Sequence, residues 1–124
     1  MLKVIKRLLD GGVSTHLLVY APKFQYNEIG KRNILTTAKY LGVEKNVNVF
    51  LENLEEDEKL AAYNLADLVV FPALQPTAVD PPITVLEAMS CGKSVLTSRV
   101  QSLPYFVEHG RNVFCQFQLG RGCL

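Results

Sequence analysis

Leu68-Val69-Val70-Phe71-Pro72 and, beyond a proline-rich loop, Thr84-Val85-Leu86-Glu87-Ala88-Met89-Ser90-Cys91-Gly92-Lys93-Ser94-Val95-Leu96-Thr97 together decide how this chain folds. Leu68 to Phe71 is apolar without a break, as a strand covered on both faces must be, and Pro72 stops it. Residues 73 to 82 hold Pro76, Pro81 and Pro82 and read as a loop. Thr84 to Cys91 predicts a short helix closed by Gly92, and Ser94 to Thr97 predicts the next strand. Strand, loop, helix, strand is the unit that joins two parallel strands by a right-handed crossover.

The same alternation runs outward in both directions. Upstream, Leu2, Val4, Ile5, Leu8 and Leu9 recur at helical spacing, and Gly11-Gly12 ends that helix. His16 to Tyr20 is a short apolar strand stopped by Ala21-Pro22, with His16 expected at the surface. Asn27 to Leu41 predicts an amphipathic helix burying Ile29, Ile34, Leu35, Ala38 and Leu41, with Gly42 as its cap. Val47 to Leu51 is a strand. Glu55 to Asp67 is a helix whose opening acids suit the positive end of the helix dipole, and Leu60, Ala61, Leu65 and Ala66 are expected to face the core. Downstream come a helix from Leu103 to His109, with Pro104 in its first turn, and a strand from Asn112 to Phe117. The fold class is therefore α/β: a Rossmann-like parallel sheet with helices on both faces. Residues 1–124 read as one partial domain, because the chain opens on a helix and stops just after a strand. An open sheet edge would follow, and with it a tendency to form homo-oligomers through edge pairing.

The composition narrows the function classes. Thirteen Lys plus Arg against twelve Asp plus Glu leave a formal charge of +1, which offers no footprint for nucleic acid. Cys91, Cys115 and Cys123 form no C-x-x-C pair and fit reduced thiols in a cytoplasmic protein. No apolar run approaches the roughly 18 residues of a membrane span. Neither G-x-G-x-x-G nor G-x-x-x-x-G-K-[ST] occurs, so a dinucleotide or P-loop site lacks support. No Ser/His/Asp or Cys/His set suggests itself, and no metal site is expected. His109 reads as a helix end and Cys91 as a core thiol.

In an open parallel sheet, ligands bind beyond the carboxyl ends of the strands. The loop leaving Phe71 starts from that edge and runs through Val79-Asp80-Pro81-Pro82 into the helix that carries Glu87. Free amides at a helix start can hold a diphosphate, and a carboxylate near that start can accept two hydrogen bonds from a ribose diol. On the pattern alone a second reading stands beside this one. Glu87 would merely complement the helix dipole, with Thr84 as the N-cap.

The stretch Asp80-Pro-Pro-Ile-Thr-Val-Leu-Glu-Ala-Met-Ser-Cys-Gly-Lys-Ser-Val-Leu-Thr-Ser resembles the donor-site signature of glycosyltransferase family 4 (group 1), with its Glu-Ala-Met-x-Cys-Gly core. Leu65-Ala66-Asp67-Leu68-Val69-Val70-Phe71-Pro72 and Ser102 to Asn112 are similar to the segments that flank that signature, in the same order. The resemblance covers roughly residues 1 to 117. It implies half of a GT-B architecture, namely the C-terminal domain that binds a nucleotide-sugar donor. A separate acceptor-binding domain or chain would complete the enzyme, which in full length could lie peripheral to a membrane. Transfer would retain anomeric configuration and use no metal or other cofactor. Glu87 would hold the donor ribose, and the backbone around Ile83, Thr84 and Val85 would face the diphosphate or donor sugar.

Departures from the pattern bear on catalysis. Eight positions before Glu87 the family carries another Glu, and here that place is Val79. Asp80, next door, is the candidate to take over that catalytic position. The family's Phe-Gly falls on Pro81-Pro82, which have no N–H to donate. No counterpart is found for the family's phosphate-binding Arg and Lys, and nothing is carried onto Lys3, Lys6 or Arg7. The alternative expectation is a non-catalytic nucleotide-binding or interaction module built on the same fold.

Overall fold

The computed structural model of the chain describes residues 1–73, 77–106 and 113–117, the last as backbone. The expected helix end at 107–109, including His109, and Cys123 lie outside the described residues. So does Pro76 in the loop. The chain divides into two compact units, Met1–Leu54 and Glu55–Leu124.

The first unit contains α1 (Leu2–Asp10), β1 (Leu17–Ala21), α2 (Gln25–Leu41), a 3-10 turn at Glu44–Asn46, and β2 (Val47–Leu51). β1 and β2 run parallel, with Leu17 opposite Val47 and Ala21 opposite Leu51. Ile5 of α1, Ala38 of α2, Val43, Val47 and Val49 form its buried core. Gly42 ends α2 in the left-handed region, with φ 71°. That turn lets the Val43 N–H reach back to the Ala38 carbonyl at 2.9 Å, and it drops Val43 into the core. His16 lies at the surface as expected, with Nε2 2.6 Å from the Asn48 Oδ1. Two members of the expected α2 stripe do not face the core: Ile29 and Leu35 are exposed, and Ala38 is the residue fully buried. Ile29 and Ala38 are nine positions apart, which at 100° per residue is two and a half turns, so they lie on opposite faces.

The second unit contains α3 (Glu56–Leu65), β3 (Leu68–Phe71), α4 (Ile83–Ser90), β4 (Ser94–Ser98), α5 (Leu103–Phe106) and β5 (Val113–Phe117). Its sheet is parallel in the order β3-β4-β5. Val85 and Ala88 on α4, Val95 on β4 and Leu103 on α5 make the buried core. Tyr63, Val69, Phe71, Met89 and Val100 pack around it. α4 lies over the sheet because Val85, Ala88 and Met89 fall on one face at i, i+3 and i+4. It stops at Gly92, φ 68°, which allows the Lys93 N–H to bond the Ala88 carbonyl at 3.0 Å.

Short parallel strands alternating with helices are thus what the sequence predicts, and the fold is α/β. The strands hydrogen-bond as a pair and a triplet, so β2 and β3, consecutive in the chain, belong to different sheets. α3 corrects the expectation most. Leu60 and Leu65 are exposed at 51% and 71%, and none of its residues is fully buried. Leu60 and Leu65 are five positions apart and cannot share a face. The inward stripe is Lys59, Ala62, Tyr63 and Ala66, at i, i+3, i+4 and i+7.

Candidate functional site

Everything the sequence singles out for chemistry lies in the second unit, at the carboxyl ends of β3 and β4 and along α4. Two buried hydroxyls shape that edge. Thr97 donates to the Phe71 carbonyl at 3.0 Å, and Ser98 donates to the Ala73 carbonyl, so the last residues of β4 are tied to the chain leaving β3. The loop is then latched to the turn after β4. The Thr77 N–H donates to the Gln101 Oε1 at 2.7 Å, and Gln101 returns a bond from Nε2 to the Thr77 carbonyl at 3.2 Å.

Asp80 sits within this latch. Its Oδ1 accepts from the Ser102 hydroxyl at 2.5 Å and from the Ser102 amide at 3.3 Å. Val79 beside it is exposed, and the Asp80–Pro81 peptide is cis.

α4 begins one residue earlier than expected, and its N-cap is Pro82. Thr84 is therefore the second helical residue and not the cap. The Pro82 carbonyl accepts from the amides of Val85 at 3.0 Å and Leu86 at 3.4 Å. The amides of Ile83 and Thr84 have no bond to any described residue, which is the usual state of a helix's first donors. Ile83 and Thr84 are exposed, whereas the Val85 side chain is fully buried in the core. The structure thus brings two open amides to the loop side of α4, with Val85 as their anchor beneath.

Glu87 lies one turn further along α4, half-buried, and lines an open groove of about 290 Å³ with Lys59, Leu60 and Tyr63 of α3 and with Leu86 and Cys91. The Tyr63 hydroxyl donates to the Glu87 Oε2 at 2.8 Å and lies 3.5 Å from the Thr84 carbonyl. Burial, then the bond to Glu87, pushes the Tyr63 phenol well above the ordinary tyrosine range. Lys59 forms an ion pair with Glu56 at 3.0 Å. That hydrogen bond raises the Lys59 ammonium above its usual value, with smaller contributions from the charges of Glu87 and Glu55. Sequence reasoning missed Tyr63. The signal was present in the Lys59, Ala62, Tyr63, Ala66 spacing, but the larger leucines drew the stripe onto the wrong phase. Among the described residues, no three His, Cys, Asp or Glu side chains are grouped so as to hold a metal ion. No described helix is long and apolar enough to cross a membrane.

Residues 1–118 match the family described as glycosyl transferases group 1. The chain belongs to this family. Among curated relatives of this group 1 chain, the serotype-specific mannosyltransferase WbdA of Escherichia coli is 40% identical over 75 residues. That match takes in 60% of this chain and 9% of the relative's length. A second WbdA sequence from Escherichia coli is 38% identical over 87 residues, covering 70% of this chain and 10% of the relative. This chain therefore spans about a tenth of the mannosyltransferases it matches. In fold, the group 1 chain is similar to the crystal structure of Anabaena Alr3699/HepE in complex with UDP and glucose. The TM-score is 0.64 at 19% identity, over 96% of this chain and 38% of the other.

Proposed function

We propose that this chain is the C-terminal, nucleotide-sugar-binding half of a family 4 glycosyltransferase of GT-B build. An acceptor-binding domain or chain would complete it, and sugar transfer would proceed with retention and without a metal. The observation that carries the reading is the arrangement on α4. Two open amides at Ile83 and Thr84 stand one turn from Glu87, a half-buried carboxylate at the rim of a groove. Amides with the helix dipole behind them suit a diphosphate, and the carboxylate suits the two hydroxyls of a ribose. Val85 serves this site as the buried anchor of the turn. The likeness to mannosyltransferases makes a nucleoside-diphosphate mannose the first donor to try, and UDP-glucose the second. We place the chain in the cytoplasm, where its thiols stay reduced and nucleotide sugars are at hand.

Calorimetric titration with GDP, UDP and their mannose and glucose conjugates tests the proposal. We expect saturable binding that weakens about tenfold or more in Glu87→Ala, the usual result of removing a charged hydrogen-bond partner. An unchanged affinity in that variant would remove Glu87 from the site. EDTA should leave the affinity unaltered.

A second reading, a non-catalytic binding module, rests on Val79 and Asp80. The acid expected against the donor sugar is absent at Val79, and the Asp80 carboxylate is occupied by Ser102. Pro81 and Pro82 remove two further donors from the loop. Donor binding without sugar release, when an acceptor domain is supplied in trans, is the result that would favour this reading.

A further inference from the structure

We propose that Tyr63 is a positioning residue for the donor site, fixing Glu87 in the orientation that receives a ribose diol. This rests on the reading of Glu87 given above and extends it to a second helix. An unrestrained glutamate on an exposed helix face samples many rotamers, and most of them point its carboxylate away from any one ligand. Here the Tyr63 ring packs against the core formed by Val85, Ala88, Val95 and Leu103, so its hydroxyl is a fixed point on α3. That hydroxyl donates to the Glu87 Oε2 at 2.8 Å. An ionised carboxylate has about four acceptor sites on its two oxygens. Tyr63 takes one of them. Oε1 and the second lone pair of Oε2 stay open, which is what two neighbouring hydroxyls need in order to dock side by side. The bond is charge-assisted and lies partly out of water, so it favours one carboxylate orientation before any ligand arrives. Tyr63 itself need not touch the nucleotide.

The groove runs beside this carboxylate and is lined also by Glu56 and Ser90. Its wall on the α3 side is Lys59, Leu60 and Tyr63, and its α4 side is Leu86, Glu87 and Cys91. Lys59 is held back by Glu56 and does not hydrogen-bond Glu87. Among the described residues, Tyr63 is therefore the side chain that directs this carboxylate.

The test compares GDP and UDP with their 2′-deoxy counterparts on the full chain, in wild type, Tyr63→Phe and Glu87→Ala, with thermal melts to confirm folding. Wild type should prefer the ribonucleotide. Tyr63→Phe should reduce that preference by about tenfold while leaving the affinity for the 2′-deoxy nucleotide nearly unchanged. A merely structural role for Tyr63 would weaken both nucleotides alike and keep their ratio, which would overturn the proposal. Loss of the preference in Glu87→Ala but not in Tyr63→Phe would overturn it too, with the role of Glu87 left intact. If wild type binds neither nucleotide, the donor-site reading fails, and this inference fails with it.

Discussion

A phenol that donates to a carboxylate across two helices links its own ionisation to the fold. The folded-state pKa of Tyr63 is raised, first by burial and then by Glu87. The stability it contributes is therefore fully present below the unfolded tyrosine value of about 10 and is lost as pH climbs above that toward the folded value. Denaturant melts between about pH 9 and 12 should show wild type losing stability along an alkaline limb. Tyr63→Phe should flatten that limb, and an identical slope in the variant would show that Tyr63 titrates as it does in an unfolded chain. At this scale the site was unevenly legible. The place of Glu87, one turn into a helix behind a loop at the strand ends, could be read from local sequence, while its role toward a ribose comes from the family resemblance alone. Its partner could not be read, because Tyr63 reaches it from another helix, 24 positions away in sequence. The bond between Asp80 and Ser102 was hidden for the same reason, since it depends on how two loops meet.

Among the described α-helices, α3 is the one held least by burial. It places no residue fully in the core, so its ends and its few directed bonds count for more. Glu58, third in the helix, accepts the Glu55 N–H at 2.9 Å in a capping box, and Lys93 donates to the Asn64 carbonyl at 3.0 Å near the other end. Glu58→Ala should cost about 1 kcal/mol of stability. Because α3 carries Tyr63, the same variant should weaken nucleotide binding by a small factor, no more than a few fold; calorimetry and a denaturant melt on one sample measure both. No change in either would mean that the tertiary bonds alone set α3. Apart from the end of α5, whose expected course to His109 lies outside the described residues, helices and strands were legible within about two residues at their ends, since periodicity and the Gly42 and Gly92 stops are local signals. The facing of α3 was not, because Leu60 and Leu65 lie on different sides and a tyrosine, not a leucine, does the packing.

At the scale of the molecule, hydrogen bonding sorts the five described strands into two sheets. Each of these has edges whose backbone groups pair with no described strand, and such edges recruit other chains. We propose that the chain associates with itself through them. Light scattering at rising concentration should reveal species heavier than the 13.8 kDa chain, and a constant mass of one chain would argue against it. Alternation of strand and helix was readable across the described residues. Which strands pair was not, since pairing is a long-range outcome that the order of elements leaves open. The division at Leu54 also sets an order in time. β1, β2 and the core beneath them draw only on the first 54 residues, so a nascent chain holds all the parts of that unit early. The residues up to β4, which the proposed donor site needs, follow it from the ribosome by roughly 2–9 s at ordinary synthesis rates. The unit that carries no residue of the proposed site is thus the one that can begin to collapse first.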